Sequence, residues 1–169
     1  MPKVAIALGS NLGDRLGHLR RAVSALRAVV DLTEFSRVYE TAPLYVEDQP
    51  PFLNGVVAGE TLLGPIELLR RLKALEREIG RVPSERFGPR EIDLDLILYG
   101  RLSILSREGV RARLQVPHPR LAERRFVLAP LADAIGNAEV PGEGSVLGML
   151  EKTSDQALKV REVAAVLVD

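Results

Sequence analysis

Apolar and polar residues alternate over residues 92–96, and this alternation predicts a strand over residues 92–98 with two different faces. The apolar face carries Ile92, Leu94, Leu96 and Leu98. Asp93 and Asp95 fall on the opposite face, where each carboxylate makes ionisation of the other more costly. Side chains two residues apart on a strand are separated by roughly 6–7 Å, which lets two acids share one or two divalent cations with water and phosphate oxygens.

The rest of the pattern predicts the order strand, helix, strand, strand, helix, strand. The other strands are residues 3–8, 32–41 and 52–61. The first helix carries Leu16, Leu19, Val23, Leu26 and Val30 at helical spacing. The second helix begins at Gly64-Pro65 and ends at Gly80. This order is that of a ferredoxin-like βαββαβ core of the α+β class. Each helix has one apolar stripe, so both are expected to cover the sheet face opposite the aspartates.

The remaining chain is expected to close part of the aspartate face, which should also carry the small residues Ala5 and Ala7. It is predicted to form a C-terminal hairpin and helical extension: a hairpin at 102–116 with its turn at 107–109, a short helix at 121–125, a glycine-rich loop at 136–145 and a short helix at 146–150. The type of segment after Lys152 stays open, with a strand around 158–163 as one alternative. No repeat or linker divides the chain, so we expect a single domain over residues 1–169.

Glu76 interrupts the apolar stripe of the second helix, because it lies four residues after Leu72 and three before Ile79. A carboxylate at that position is costly unless it has a partner. Two interpretations stay open. Glu76 either pairs with an arginine at the edge of the stripe or borders a site and contacts a ligand.

Cationic residues flank the acidic strand on both sides. Upstream lie Arg81, Arg86 and Arg90, on a segment broken by Gly88-Pro89. Downstream, His118 stands between two prolines, near Arg113, Arg120, Arg124 and Arg125. Acids that hold Mg²⁺ beside arginines that hold anions indicate phosphoryl transfer. For His118 itself, a structural role and phosphate binding both remain open.

A second kind of ligand is suggested by Phe52 and Asn54, which share one face of their strand and could stack on and hydrogen-bond a flat heterocycle. On these residues alone, the favoured interpretation is that Phe52 is a core residue and that Asn54 belongs to a turn. The loop at 41–51 contains three prolines and is either a pre-formed binding wall or a connection. The Gly9-Ser10-Asn11 turn is not a P-loop, because the Gly-Lys-Ser/Thr element is missing.

Composition narrows the classes of function. The 169 residues are 46% hydrophobic but only 4% aromatic, so the core must be mainly aliphatic. A formal net charge of zero disfavours a general nucleic-acid binder. The absence of cysteine excludes disulfides, thiolate metal sites and a cysteine nucleophile, and fits a cytoplasmic location. No apolar run has membrane-spanning length and no signal peptide is expected, so no membrane partner is predicted.

Several segments in order resemble the 6-hydroxymethyl-7,8-dihydropterin pyrophosphokinases of folate biosynthesis. They are residues 6–14, 40–44, 49–54, 76–81, 86–95 and 116–131. The most specific are Gly88-Pro89-Arg90-x-x-Asp93-x-Asp95 and Val116-Pro117-His118-Pro119. The resemblance implies the ferredoxin-like fold and transfer of the β,γ-pyrophosphoryl group of ATP to the hydroxymethyl group of the dihydropterin, leaving AMP.

The resemblance also implies roles for individual residues. Asp93 and Asp95 match the ligands of two Mg²⁺ ions per ATP, and Asp95 is a candidate to accept the hydroxyl proton. Arg81 and Arg90 match arginines that stabilise charge on the transferring group. The matches to ATP contacts are Glu76, Arg86, Arg113, His118 and Arg124. The matches to pterin contacts are Thr41, Pro43, Leu44, Phe52, Asn54 and Phe126.

The chain departs from the family pattern at a few positions. Phe87 stands where many members have tryptophan, Pro83 where many have arginine, and Pro119 where some have tyrosine. The segment that carries Arg81, Arg86 and Arg90 therefore has one fewer cation than in those members. Two other classes of protein share part of this pattern: a different Mg²⁺ enzyme acting on nucleic acid, which the zero net charge disfavours, and a non-catalytic ferredoxin-like module, which gives no reason for the acids and arginines to converge. The partners implied are ATP and 6-hydroxymethyl-7,8-dihydropterin, with the chain acting as a monomer.

Overall fold

The computed structural model describes residues 1–43, 48–84, 88–104 and 114–168. The first part of the chain forms β1 (Lys3–Ser10), α1 (Arg15–Leu26), β2 (Asp31–Phe35), β3 (Arg37–Thr41), β4 (Phe52–Glu60), α2 (Pro65–Ile79) and β5 (Asp93–Tyr99). The second part forms a 3₁₀ turn (Leu121–Glu123), α3 (Arg125–Ile135), β6 (Glu139–Val140), β7 (Gly144–Ser145), α4 (Val146–Lys152), a 3₁₀ helix (Ser154–Lys159) and β8 (Val160–Val166).

One antiparallel sheet organises these elements. Its order is β5-β1-β4-β3-β8, and β2 also pairs with β4. This is the predicted ferredoxin-like arrangement, with β8 added beside β3. The expected strand at 32–41 is interrupted at Ser36, whose backbone N–H donates to Val56 O at 2.9 Å and whose hydroxyl accepts from Val56 N at 2.8 Å. The strand at 158–163 exists as β8, and the glycine-rich loop contains the short β6–β7 hairpin.

Helices α1 and α2 cover one face of the sheet, as predicted. The Asp14 side chain caps α1 by accepting from Gly17 N, and α2 has proline at its start. Gly80 ends α2 at a φ of 118°, which favours glycine. The shared core contains Ile6, Leu8, Leu19, Leu26, Leu68 and Leu72.

The C-terminal extension closes part of the other face, also as predicted. Residues of α3 and α4, including Leu128, Leu131 and Met149, pack there with Ala5, Val56 and Ile97. Ala7 lies on this face as well, so small side chains of β1 leave space beside it. None of the helices in the ranges that the structure describes has both the length and the apolar character needed to cross a lipid bilayer.

The predicted position of Leu98 is wrong because the alternation breaks within β5. Ile6 pairs with Leu96 but Ala5 pairs with Leu98, so Ile97 is an extra residue in the strand. Such a bulge reverses the faces that follow it. Leu98 therefore packs with the second core, while Tyr99 turns to the helix side and donates its hydroxyl to Leu63 O at 2.8 Å.

The predicted hairpin at 102–116 is described only at its ends. Ile104 and Val116 pair in an antiparallel bridge, with N···O distances of 2.7 and 3.2 Å. The turn at 107–109 lies outside the described residues. The short helix expected at 121–125 is a 3₁₀ turn that leads directly into α3.

Candidate active site

The acid pair lies in a cleft on the open part of the second sheet face. Asp93 pairs with Gly9 and Asp95 with Ala7 across β1, so small neighbours leave the carboxylates accessible. Including its open mouth, the cleft has a volume of about 720 Å³. Residues predicted to be functional contribute much of its lining: Thr41, Phe52, Asn54, Arg90, Asp93, Asp95, Arg124 and Phe126. The arrangement therefore places anionic, cationic and aromatic groups around one space.

The two aspartates have different electrostatic surroundings. Asp93 accepts from Arg81 Nη1 at 2.7 Å and from Arg90 Nη1 at 3.0 Å. Burial would raise the pKa of Asp93, but Lys73, Arg90 and Arg81 together hold it below its ordinary value. For Asp95, burial and then the Asp93 charge raise the pKa to about 6. Asp95 thus has less counter-charge than Asp93, although its side chain is 34% exposed to the cleft.

Glu76 is the buried partner of three donors. Its side chain is 4% exposed and accepts from Lys73 Nζ at 2.6 Å, Arg81 Nη1 at 2.6 Å and Leu94 N at 2.7 Å. This explains how a carboxylate is tolerated in the apolar stripe of α2. Of the two interpretations, pairing with an arginine is present in the structure, and the predicted ATP contact stays a prediction.

Lys73 is a functional candidate that the sequence analysis missed. Its Nζ donates to Leu94 O at 2.9 Å and lies 3.7 Å from Asp95 Oδ1 and 4.0 Å from Asp93 Oδ1. The available signal was its position three residues before Glu76, which puts both side chains on the same side of α2. That signal becomes specific only when β5 is known to lie beside α2.

Asn11, which the sequence placed only in a turn, joins two loops of the site. It is 1% exposed. Its amide nitrogen donates to Gln49 Oε1 at 2.9 Å and Pro50 O at 3.0 Å. Its amide oxygen accepts from Arg90 N at 2.8 Å, and its own N–H donates to Arg90 O at 3.1 Å. Asn11 therefore fixes the backbone of Arg90 relative to the proline-containing loop.

The predicted aromatic side of the site is assembled in the same cleft. Phe52 comes from the start of β4 and Phe126 from the first turn of α3. Asn54 is buried and donates to Thr41 Oγ1 at 2.7 Å, which fixes its amide. Pro43 is half-buried next to the lining residue Ala42. Leu44 lies outside the described residues.

His118 lies beside Asp95 and Arg124 at a smaller adjoining cavity of about 210 Å³. Burial, followed by the charge of Arg124, lowers the pKa of His118 to about 4, so the ring is neutral at pH 7. Its Nδ1 accepts from Arg120 N at 3.2 Å, which assigns the proton to Nε2. The ring can therefore donate one hydrogen bond without carrying charge. Arg86 and Arg113 lie outside the described residues.

The two aspartates fit a hard divalent cation, since both offer carboxylate oxygens to the cleft and Asp95 is incompletely compensated. Within the described ranges, no group of three or more His, Cys, Asp or Glu side chains is arranged to hold a metal. An ion at the aspartates would therefore need oxygens from a ligand or water to complete its coordination.

Comparison with known proteins identifies the family of the chain. Residues 5–136 match the family described as 7,8-dihydro-6-hydroxymethylpterin-pyrophosphokinase (HPPK). The chain is 48% identical over 136 residues to the 2-amino-4-hydroxy-6-hydroxymethyldihydropteridine pyrophosphokinase of Bacillus subtilis, covering 79% of this chain and 78% of that protein. It is 50% identical over 137 residues to a mitochondrial folate synthesis bifunctional protein of Arabidopsis thaliana.

The extent of these matches differs. The Arabidopsis match covers 80% of this chain but only 24% of the relative, so the chain spans about a quarter of that bifunctional protein. A crystal structure of wild-type Plasmodium falciparum HPPK-DHPS, with pterin and p-hydroxybenzoate, aligns with 97% of this chain and 45% of its own at a TM-score of 0.72. At 13% identity that likeness concerns the fold alone. Because residues 5–136 match the family and the Bacillus protein is 48% identical, the chain belongs to the 7,8-dihydro-6-hydroxymethylpterin-pyrophosphokinase family.

Proposed function

We propose that this chain transfers the pyrophosphoryl group of ATP to the hydroxymethyl group of 6-hydroxymethyl-7,8-dihydropterin in folate biosynthesis. The observation that carries the proposal is the composition of one cleft. Asp93, Asp95 and Arg90 line it together with Phe52 and Phe126. Paired acids and a guanidinium suit a metal-bound polyphosphate, whereas aromatic rings suit a flat heterocycle. A transfer between these two ligands requires both to be bound in the same space.

In the reaction, the hydroxymethyl oxygen attacks the β-phosphorus of ATP, the bond from that phosphorus to the bridging oxygen of the α-phosphate breaks, and AMP leaves. Asp93 and Asp95 would hold two Mg²⁺ per ATP, which neutralise phosphate charge and lower the pKa of the hydroxyl. Asp95 is the candidate to accept the hydroxyl proton. Arg81 and Arg90 donate to Asp93 in the ligand-free site. When ATP binds, they would donate to phosphate oxygens instead, which puts their positive charge beside the transferring group.

The two substrates are bound by separate groups of residues. We assign ATP contacts to Glu76, Arg86, Arg113, His118 and Arg124, with His118 donating from its neutral ring. We assign the pterin to Thr41, Pro43, Leu44, Phe52, Asn54 and Phe126. The fixed amide of Asn54 supplies directional hydrogen bonds to the heterocycle, and the phenylalanines supply stacking surface.

We also propose that the chain acts as a monomeric single domain in the cytoplasm, without a nucleic-acid or membrane partner. The absence of cysteine supports a reducing compartment, and the balanced charge gives no general electrostatic attraction to nucleic acid.

Nucleotide product analysis tests the activity. AMP should form from ATP only when Mg²⁺ and the hydroxymethyl-dihydropterin are both present. Asp95→Asn should abolish this turnover while largely preserving pterin binding, whereas the exposed Asp155→Asn serves as a matched control with normal turnover. Formation of ADP, or of AMP without the pterin, would contradict the proposal.

A further inference from the structure

Lys73 is a cation that α2 directs at the acid pair. Its Nζ lies 3.7 Å from Asp95 Oδ1 and 4.0 Å from Asp93 Oδ1. The side chain is 39% exposed, so it is not sealed off from solvent. It therefore stands next to the oxygens that a divalent cation would need.

Two hydrogen bonds keep this ammonium in place. Lys73 Nζ donates to Glu76 Oε1 at 2.6 Å and to Leu94 O at 2.9 Å. The Glu76 carboxylate is almost fully buried, so withdrawal of Lys73 would remove one of its counter-charges. Leu94 lies between the two aspartates in β5, so the bond from Lys73 Nζ to Leu94 O ties the ammonium to the backbone that carries them. Lys73 is thus held beside the acid pair from two directions.

We propose that Lys73 is a positioning cation that opposes divalent metal binding by Asp93 and Asp95 alone and makes stable metal binding depend on the nucleotide. An ion on these carboxylates would lie a few ångströms from a fixed positive charge and would be repelled by it. The phosphates of ATP bring negative charge that offsets this repulsion. This inference rests on the proposed function, because it assumes that the aspartates hold the metal.

Lys73 differs in this respect from the arginines around Asp93. Arg81 and Arg90 bond Asp93 directly, at 2.7 and 3.0 Å, and in the proposed reaction they turn to the phosphates. Lys73 donates no hydrogen bond to Asp93. It is bonded to Glu76, as Arg81 also is, and to the backbone carbonyl of Leu94, which stays in place when ATP binds. Its charge therefore remains beside the metal site throughout. A purely structural Lys73 would affect folding stability but not metal affinity.

Titration with Mn²⁺, followed by electron paramagnetic resonance, tests the inference without measuring turnover. The variants are Lys73→Met and Lys73→Gln, which remove the charge, and Lys73→Arg, which keeps it. Arg77→Met removes an exposed cation one turn further along α2 and is the matched control. Without nucleotide, both neutral variants should bind Mn²⁺ at least about tenfold more tightly than wild type, while Lys73→Arg and Arg77→Met should not. With a non-hydrolysable ATP analogue, the difference should fall to about threefold or less, because phosphate charge offsets the lysine.

Folding is checked for each variant by circular dichroism, and Lys73→Gln, which retains an amide donor, carries the test if Lys73→Met does not fold. The inference is wrong if a folded neutral variant binds Mn²⁺ no more tightly than wild type in the absence of nucleotide. It is also wrong if Lys73→Arg shows the same gain. Failure of the proposed function looks different. In that case Asp95→Asn would not change Mn²⁺ binding by any of the variants, even with the ATP analogue, because the aspartates would not be the metal site.

Discussion

Glu76 accepts the backbone N–H of Leu94 at 2.7 Å, and Leu94 is the residue between the two aspartates of the acid pair. Among the described residues, β5 is the end strand of the sheet, so its outward backbone groups need partners from elsewhere. Glu76 takes the N–H of Leu94 and Lys73 takes its carbonyl oxygen at 2.9 Å. The charged pair on α2 thus satisfies both backbone groups of Leu94 and fixes the backbone between the two carboxylates.

Replacing Glu76 by glutamine should therefore destabilise the protein. The amide keeps the size of the side chain but removes the buried negative charge that faces Lys73 and Arg81, and we expect a loss of about 2–3 kcal/mol in the free energy of unfolding. Urea denaturation followed by circular dichroism measures it. Glu78→Gln is the control, because Glu78 pairs with Arg71 at 3.4 Å on the exposed side of α2 and should contribute less than about 1 kcal/mol. An equal loss in both variants would contradict the structural role given to Glu76.

Asp95→Asn should stabilise the metal-free protein at neutral and alkaline pH. Burial and the neighbouring Asp93 raise the pKa of Asp95 from 3.8 to about 6 in the folded state, so the fold prefers the protonated carboxyl. Stability from this preference is present below the unfolded pKa and is lost as pH rises through the folded pKa. The neutral amide avoids that loss and should be more stable than wild type by about 1 kcal/mol at about pH 8, after allowing for partial exposure, with little difference at about pH 3.5.

Thermal melts in EDTA at the two pH values measure this difference. Asp155→Asn, at an exposed position, is the control variant. If Asp95→Asn were destabilising at alkaline pH, the electrostatic account of the acid pair would be wrong.

Gly9→Ala should weaken pterin binding in particular. A Cβ at this position would lie 3.1 Å from Asn54 Oδ1 and 3.8 Å from Phe52 Cδ1. Asn54 is held by its bond to Thr41, so it cannot move aside freely, and we expect the dissociation constant of the pterin to rise about tenfold. Fluorescence titration measures it, and affinity for an ATP analogue should be unchanged. Gly64→Ala is the control, because no atom lies within 4 Å of its added Cβ. Equal weakening of both ligands would indicate a general distortion instead.

Local pattern was sufficient to predict the parts of the site that lie within one element. The alternation around Asp93 and Asp95 put both acids on one face, and the single stripes of α1 and α2 put the helices on the other. Leu98 was misplaced because the bulge at Ile97 arises from pairing with β1, which the alternation of β5 does not contain. A one-residue insertion in a ladder is a property of two strands together.

Contacts between segments that are distant in the chain could not be predicted from local pattern. Lys73 and Leu94 are separated by 21 residues, and Asn11 and Arg90 by 79. Nothing in either local pattern specifies the partner, since a lysine on a helix and an asparagine in a turn are usually exposed to solvent. Only the placement of α2 beside β5, and of the β1–α1 turn beside the arginine segment, gives these side chains their roles.

Arg90→Ala should slow the chemical step much more than it weakens ATP binding. The backbone of Arg90 is bonded to Asn11 through both its N–H and its carbonyl, and these two bonds survive truncation of the side chain, although the bond from Nε to Gly88 O at 3.2 Å is lost. What is lost is a guanidinium 3.0 Å from Asp93 that can stabilise charge on the transferring group. We expect the single-turnover rate to fall by at least about a hundredfold and the dissociation constant of an ATP analogue to change by less than about fivefold. Rapid-quench measurements with saturating substrates separate the two effects, with the exposed Arg71→Ala as the control. A normal single-turnover rate combined with weak nucleotide binding would assign Arg90 to ground-state affinity and reject its role in catalysis.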